Sequence, residues 1–111
     1  MKDNQVTIKA IEFAVKVVKF CKKLQQEEKE FILSKQLLRS GTSIGANLRE
    51  AKFASSKADF LNKNKISLKE ASETAYWLEL LRLSEIAEAK ELENDCLEII
   101  KMLTAIANKL K

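Results

Sequence analysis

An all-α fold, an antiparallel up-down-up-down four-helix bundle, is what this chain predicts, and three observations carry the prediction. First, proline is absent and glycine occurs only at positions 41 and 45 of 111 residues. An all-β domain of this length would need many more turn residues. Second, apolar residues recur at intervals of three and four through four long segments, the rhythm that gathers them on one side of a helix. Third, the connections between segments are short and polar, which makes consecutive helices antiparallel neighbours. Hydrophobic residues make up 46% of the chain and charged residues 32%, enough of the first to fill a core and of the second to keep the outside solvated. The length predicts one domain, residues 1–111, because four helices of about 20 residues each use nearly all of it.

The first helix is expected over residues 3–26. Asp3 or Asn4 supplies a capping oxygen for the unpaired amides of its first turn. Val6, Ala10, Phe13, Val17, Phe20 and Leu24 form its inner stripe, and Ala14, Val18 and Cys21 widen it beyond what one bundle seam needs. The second helix is expected over residues 28–53, with Leu37, Gly41, Ile44, Leu48 and Ala51 as its seam. From Ser40 to Ala46 every side chain except Ile44 is small. Each interior glycine costs a helix about 1 kcal/mol relative to alanine, so two in one seam predict close approach of a neighbouring helix. Ser56 and Asp59 resemble a capping box and open a third helix over residues 57–86. Its expected face is Leu61, Leu68, Ala71, Ala75, Leu78 and Arg82, broadened by Trp77, Leu80, Leu81 and Ser84. The fourth helix, residues 91–110, has the most regular spacing. Leu92, Cys96, Ile99, Leu103, Ile106 and Leu110 alternate by four and three, an a/d seam of the knobs-into-holes kind.

The residue inventory argues against an enzyme. Histidine is absent, so no Ser-His or Cys-His nucleophile pair exists, and the Glu-x-x-His ligands of di-iron bundles cannot be assembled. Cys21 and Cys96 sit where the helical pattern wants small apolar side chains. They read as buried thiols, and a zinc site would lack ligands. No metal or cofactor is expected. Gly41-Thr42-Ser43-Ile44-Gly45 lacks the Gly-Lys-Ser/Thr ending of a phosphate loop. No apolar run reaches membrane-span length and no signal-peptide core is visible, which predicts a cytoplasmic protein.

One polar set is unusual. Arg39, Ser43, Asn47 and Glu50, spaced four, four and three, line the second helix beside its apolar seam. A buried polar group without a partner costs about 1–3 kcal/mol. These four are therefore expected to join Glu70 and Glu73 of the third helix in a hydrogen-bonded network; the plainer alternative is a solvated face. Tyr76 and Trp77 are adjacent, so they leave a helix in different directions, and one of them is a candidate interface anchor.

Charge is uneven. The net is +4, and residues 1–26 hold six lysines against two acids, while residues 91–111 hold three lysines against four. A second basic group comprises Arg49, Lys52, Lys57, Lys63 and Lys65. Such stripes attract phosphate backbones by releasing counterions, and a symmetric oligomer would multiply the field.

Two segments are familiar together. RSGTSIGANLREA, residues 39–51, is similar to the second-helix signature of the four-helix-bundle proteins named for intervening sequences in 23S ribosomal RNA genes. KISLKEASETAYWLELL, residues 65–81, resembles that family's third helix, and KMLTAI, residues 101–106, its closing helix. The resemblance implies an antiparallel bundle that assembles as a ring-like homopentamer with a basic surface. It also implies kinship with accessory proteins of diversity-generating retroelements, which assist a reverse transcriptase and bind nucleic acid. On this basis Arg39, Ser40, Ser43, Asn47, Glu50 and Glu73 are expected to be structural. The chain departs from the family pattern at Ser84-Glu85-Ile86, where a Gly-Tyr or Asp-Tyr turn is usual, so the resemblance does not define the loop before the fourth helix. The expected function is electrostatic binding of structured RNA by a non-enzymatic homo-oligomer, with Lys9, Lys16, Lys19, Lys23, Lys52, Lys57 and Lys63 as contacts. The alternative is a scaffold that docks on a protein partner such as a retroelement reverse transcriptase.

Overall fold

A computed structural model of the chain describes residues 3–109. It has four helices: α1 (Gln5–Glu27), α2 (Ile32–Ala51), α3 (Lys57–Leu83) and α4 (Lys90–Lys109). No strand occurs among the described residues. The helices form a bundle 44 Å long and 23 by 19 Å across; α3, at 27 residues and about 1.5 Å per residue, sets the long dimension. Each helix packs on its sequence neighbours, and α1 also packs on α4, so α1 and α3 stand at opposite corners. Among the described residues, no helix is long and apolar enough to cross a membrane.

Local chemistry fixes the helix ends. Asn4 caps α1 by accepting from the Thr7 amide at 2.9 Å and the Thr7 hydroxyl at 2.7 Å. Ser56 caps α3 by accepting from the Asp59 amide, and the Asp59 carboxylate accepts in return from the Ser55 amide. α2 begins later than its sequence suggests, at Ile32 instead of near residue 28. The Glu30 carboxylate captures the amides of Ile32 and Ser34, which satisfies donors that a longer helix would have paired internally. α1 and α3 are closed by residues at positive φ, Lys29 at 55° and Glu85 at 58°. Past each, an amide turns back onto the last helical turn: Glu30 to the Leu24 carbonyl, and Ile86 to the Leu81 carbonyl. This left-handed closure usually employs glycine. Here it ends α3 at Leu83, before the expected residue 86.

The core holds Phe13 and Val17 of α1, Leu37 and Ile44 of α2, Leu78 and Leu81 of α3, and Ile99 and Leu103 of α4. The expected seams of α1, α2 and α4 are where the structure buries side chains; Phe20 and Ile106 are half-buried at the margin, Val18, expected to widen the α1 stripe, instead turns outward and is exposed, and Leu110 lies outside the described residues. The expected face of α3 needs correction. Its buried line is Asn64, Ser67, Ala71, Thr74, Leu78 and Leu81. Leu61, Leu68 and Ala75 are only half-buried, while Arg82 and Ser84 face solvent. Ala71, Leu78 and Leu81 of the expected face are buried, but the other three buried positions are polar, so hydropathy alone set the face partly off the true line. The hydroxyls are satisfied inside the bundle. Thr74 donates to Ser40 at 2.9 Å or to the Glu70 carbonyl at 2.8 Å, and Ser67 donates to the Ile44 carbonyl at 2.9 Å.

Small residues let α1 and α2 close together. A Cβ placed on Gly41 would lie 2.9 Å from a γ-methyl of Val17, whereas one on Gly45 would lie 3.7 Å from Ala10. Close approach is required at the first glycine and comfortable at the second.

Candidate interaction surfaces

The polar set on α2 divides into three parts. Arg39 reaches across to α3, where its guanidinium donates to Glu70 at 3.3 Å and also to Glu73. Glu73 accepts a second bond, from the Trp77 indole at 3.1 Å. Ser43 and Asn47 do not cross to α3. The Ser43 hydroxyl donates to the Arg39 carbonyl at 2.6 Å, and the Asn47 amide donates to the Ser43 carbonyl at 2.9 Å. Short side chains on a helix reach the carbonyl one turn back more easily than a neighbouring helix. Glu50 pairs with Lys63 at 3.1 Å, near the start of α3, far along the helix from Glu70 and Glu73. The three carboxylates therefore do not form one acidic site. Of the hydroxyl core between α2 and α3, Ser40 was expected to be structural, whereas Ser67 and Thr74 were missed from sequence; their signal was the heptad spacing 67, 71, 74, 78, 81, which ignores polarity.

The seven candidate lysines also divide. Lys16 bridges Glu91 at 2.8 Å and Asp95 at 2.9 Å, and Lys9 sits 3.8 Å from Asp95 and 3.4 Å from Glu98. These pairs lace α1 to α4. The bonds to Glu91 and then Asp95 hold the Lys16 ammonium above the usual lysine range. Lys52 binds Asp3 at 3.0 Å, beside Arg49 at 3.1 Å. The hydrogen bond from Lys52, aided by Arg49, holds the Asp3 carboxyl below its ordinary range against a smaller opposing effect of burial. Lys63 is taken by Glu50, and Lys23 lies 3.9 Å from Glu27. Lys19 and Lys57 make no ion pair among the described residues. The seven are thus not one open stripe: five already face a carboxylate of their own chain.

Apolar surface remains outside the core at Phe31 and Ile32, at Phe53, at Leu97 and along two helix faces. On α1, Ile8, Ile11, Val15 and Val18 repeat by three, four and three, a second seam on the side away from the core. Ile8, Val15 and Val18 are each close to half exposed. Ile11, Val15 and Val18 of this seam form, with Gly45 and Ala46 of α2, a shallow groove edged by Arg49. On α3, Tyr76 is 53% exposed and Leu83 63% exposed. Trp77 is half-buried against the core, with its ring 5.2 Å from that of Tyr76. Of the adjacent aromatics, tryptophan serves the bundle and tyrosine faces out.

The thiols lie deep. Cys96 donates to the Ala71 carbonyl at 3.2 Å, and burial pushes its pKa up to about 12. Burial likewise raises Cys21 to about 11.

Comparisons with known proteins agree with this architecture. The model of a family described as 23S rRNA-intervening sequence protein matches residues 2–105. Among solved structures, the chain is similar to a protein of unknown function from the S23 ribosomal protein family of Bacteroides thetaiotaomicron. The two are 54% identical, the match covers 92% of this chain and 97% of the other, and the TM-score is 0.89. No curated protein matches the chain.

Proposed function

The chain belongs to the 23S rRNA-intervening sequence protein family, and on that premise we propose that it is a non-enzymatic, self-assembling, up-down-up-down helical bundle that binds structured RNA electrostatically in the cytoplasm. The antiparallel order is supported by the register of the pairs. Early α2 meets late α3 through Ser40 and Thr74, and late α2 meets early α3 through Glu50 and Lys63. Lys9 and Lys16 meet α4 in reverse order, at Glu98 and Glu91. A ring of five copies is what the family resemblance implies.

The observation that carries the RNA reading is the distribution of lysines left over from internal pairing. Lys19 and Lys22 on α1, and Lys57, Lys65 and Lys69 on α3, are exposed and make no ion pair among the described residues. Assembly repeats each group around the particle, which concentrates a field that one +4 chain lacks. This assigns the phosphate contacts to Lys19 and Lys57 more than to Lys9, Lys16, Lys52 or Lys63, whose charge is engaged by acids. Filter binding to a structured RNA across a salt series tests the reading. Affinity should fall steeply and linearly in log–log form as salt rises, and Lys19→Ala with Lys57→Ala should flatten the slope. Absence of binding at low salt would refute it. The alternative role, an accessory subunit docked on a protein such as a reverse transcriptase, is favoured by the exposed apolar seams, which electrostatic RNA binding does not use.

A further inference from the structure

We infer that the cavity between the start of α1, the end of α2 and the start of α3 binds a single nucleotide, with its base inside and its phosphate at the rim. The chemistry is that of a nucleoside monophosphate, whether free or unpaired within an RNA. The inference stands on the cavity and does not require the structured-RNA reading above.

The cavity has a volume of about 350 Å³, at the small end of the range in which proteins hold small ligands, about 300–1,000 Å³. Leu48, Ala51 and the Phe60 ring give it apolar walls, and Thr7 and Asn64 give it polar ones. That mixture suits a flat heteroaromatic ring, which takes an apolar or aromatic wall on its face and hydrogen-bonding groups at its edge.

Asn64 separates this cavity from an ordinary gap at the end of a bundle. It belongs to the buried line of α3 and is only 5% exposed. The other polar members of that line are satisfied within the bundle, Ser67 by the Ile44 carbonyl and Thr74 by Ser40 and the Glu70 carbonyl. Asn64 donates one N–H to the Phe60 carbonyl at 2.8 Å, and its Oδ1 accepts from no described residue. No fully enclosed side-chain polar atom among the described residues lacks a partner, so that oxygen is open to the cavity that Asn64 lines. A carboxamide presents a donor and an acceptor side by side, the pattern that pairs with the edge of a base. A leucine here would extend the apolar seam of α3, whereas a buried amide with bonds unmade costs stability. Thr7, 4% exposed, gives its proton to Asn4 and leaves its oxygen as a further acceptor.

Charge at the rim fits the phosphate. Asp3 is shared by Lys52 and Arg49, at 3.0 and 3.1 Å, so one carboxylate faces two cations. Glu50 is met by Lys63, and Asp59 accepts from the Ser55 amide. Lys57 and Lys65 make no ion pair among the described residues. Across segments 49–52 and 57–65, with Asp3 included, five cations stand against three carboxylates.

Equilibrium dialysis of the full chain against each of the four common ribonucleoside monophosphates tests the inference, with ribose 5-phosphate and inorganic phosphate as probes that lack a base. At least one nucleotide should bind, one per chain, and the probes without a base should not. Asn64→Leu and Phe60→Ala, each checked for helical content by circular dichroism, should weaken that binding about tenfold, the order of one lost base contact. The pair keeps the test decisive if one of them fails to fold. Glu79→Gln, at an exposed position near the other end of α3, should leave binding unchanged. A short single-stranded RNA forms the second arm. If no mononucleotide binds but the two variants weaken the RNA about tenfold, the nucleotide is one within RNA; if mononucleotides bind, the free form suffices. Phosphate or ribose 5-phosphate binding as tightly as the nucleotides would mark an anion site and overturn the inference. So would nucleotide or RNA binding that neither variant moves, or no binding in either arm. The electrostatic reading of structured RNA is judged separately, by its own salt series.

Discussion

Adding one methyl group to each glycine of α2 should have opposite effects. At Gly45 the nearest atoms to a new Cβ are those of Ala10 at 3.7 Å, an ordinary contact. Gly45→Ala then retains the propensity gain of about 1 kcal/mol, worth a rise of about 4 °C in Tm for a domain of this size. At Gly41 the new methyl would meet two γ-carbons of Val17, at 2.9 and 3.2 Å. Val17 is fully buried, and a β-branched side chain in a helix has essentially one rotamer, so it cannot swing aside. Overpacking of this kind costs about 1–3 kcal/mol. Set against the same propensity gain, Gly41→Ala should be between neutral and about 2 kcal/mol less stable than wild type. Val17→Ala opens the space the new methyl needs, so Val17→Ala with Gly41→Ala should lose at least about 1 kcal/mol less than the sum of the single changes. The assay is urea unfolding followed by far-UV circular dichroism. It is run at one fixed protein concentration, so that any assembly contributes equally to every variant. If Gly41→Ala proves as stabilising as Gly45→Ala, the close approach of α1 and α2 at Val17 is wrong.

Three further outcomes follow from the same geometry. Thr74→Val removes a hydroxyl that bonds Ser40 and the Glu70 carbonyl inside the α2–α3 interface; it should cost about 1–3 kcal/mol by chemical denaturation, and Ser40→Ala in addition should recover part of the loss. Glu73→Ala breaks an exposed ion pair, worth about 0.2–1 kcal/mol, and the Trp77 indole bond, so Tm should drop by a few degrees and the tryptophan emission should shift; an unchanged melt and spectrum would mark a solvated face. Both thiols have raised pKa values in the folded state, about 11 for Cys21 and about 12 for Cys96. The unfolded chain loses these protons first, above about pH 8.5. Folding stability should therefore fall as pH rises, by up to about tenfold in the folding constant per pH unit and thiol. Cys21→Ala with Cys96→Ala should show a shallower alkaline decline, and the native thiols should resist alkylation at pH about 8.

Three of the four inner seams were legible in the sequence because their buried positions are apolar. α4 is the plainest case: Leu92, Cys96, Ile99 and Leu103 are buried and recur by four and three. α3 was misread for the opposite reason. Asn64, Ser67 and Thr74 are inside and Tyr76 and Leu83 outside, so a search for apolar residues finds only Ala71, Leu78 and Leu81 of the buried line. Spacing survives where polarity misleads, since 67, 71, 74, 78 and 81 keep the heptad. The helix ends at Lys29 and Glu85 carried no glycine to announce a left-handed residue. The lysines were misjudged because a positive side chain shows its charge in sequence and hides its partner. Asp3 lies 49 positions from Lys52, and Glu91 lies 75 from Lys16, distances that only the folded bundle closes. The polar set on α2 was found, but sequence could not show that Ser43 and Asn47 turn back on their own helix.

Solution mass measured by light scattering over a wide range of protein concentration bears most directly on the functional account. Uncovered apolar faces on α1 and α3 predict a discrete particle, a fixed multiple of 12.6 kDa that persists on dilution into the micromolar range. A mass of 12.6 kDa at every concentration would mean that the seams have no copy of the chain to cover them, and would contradict it.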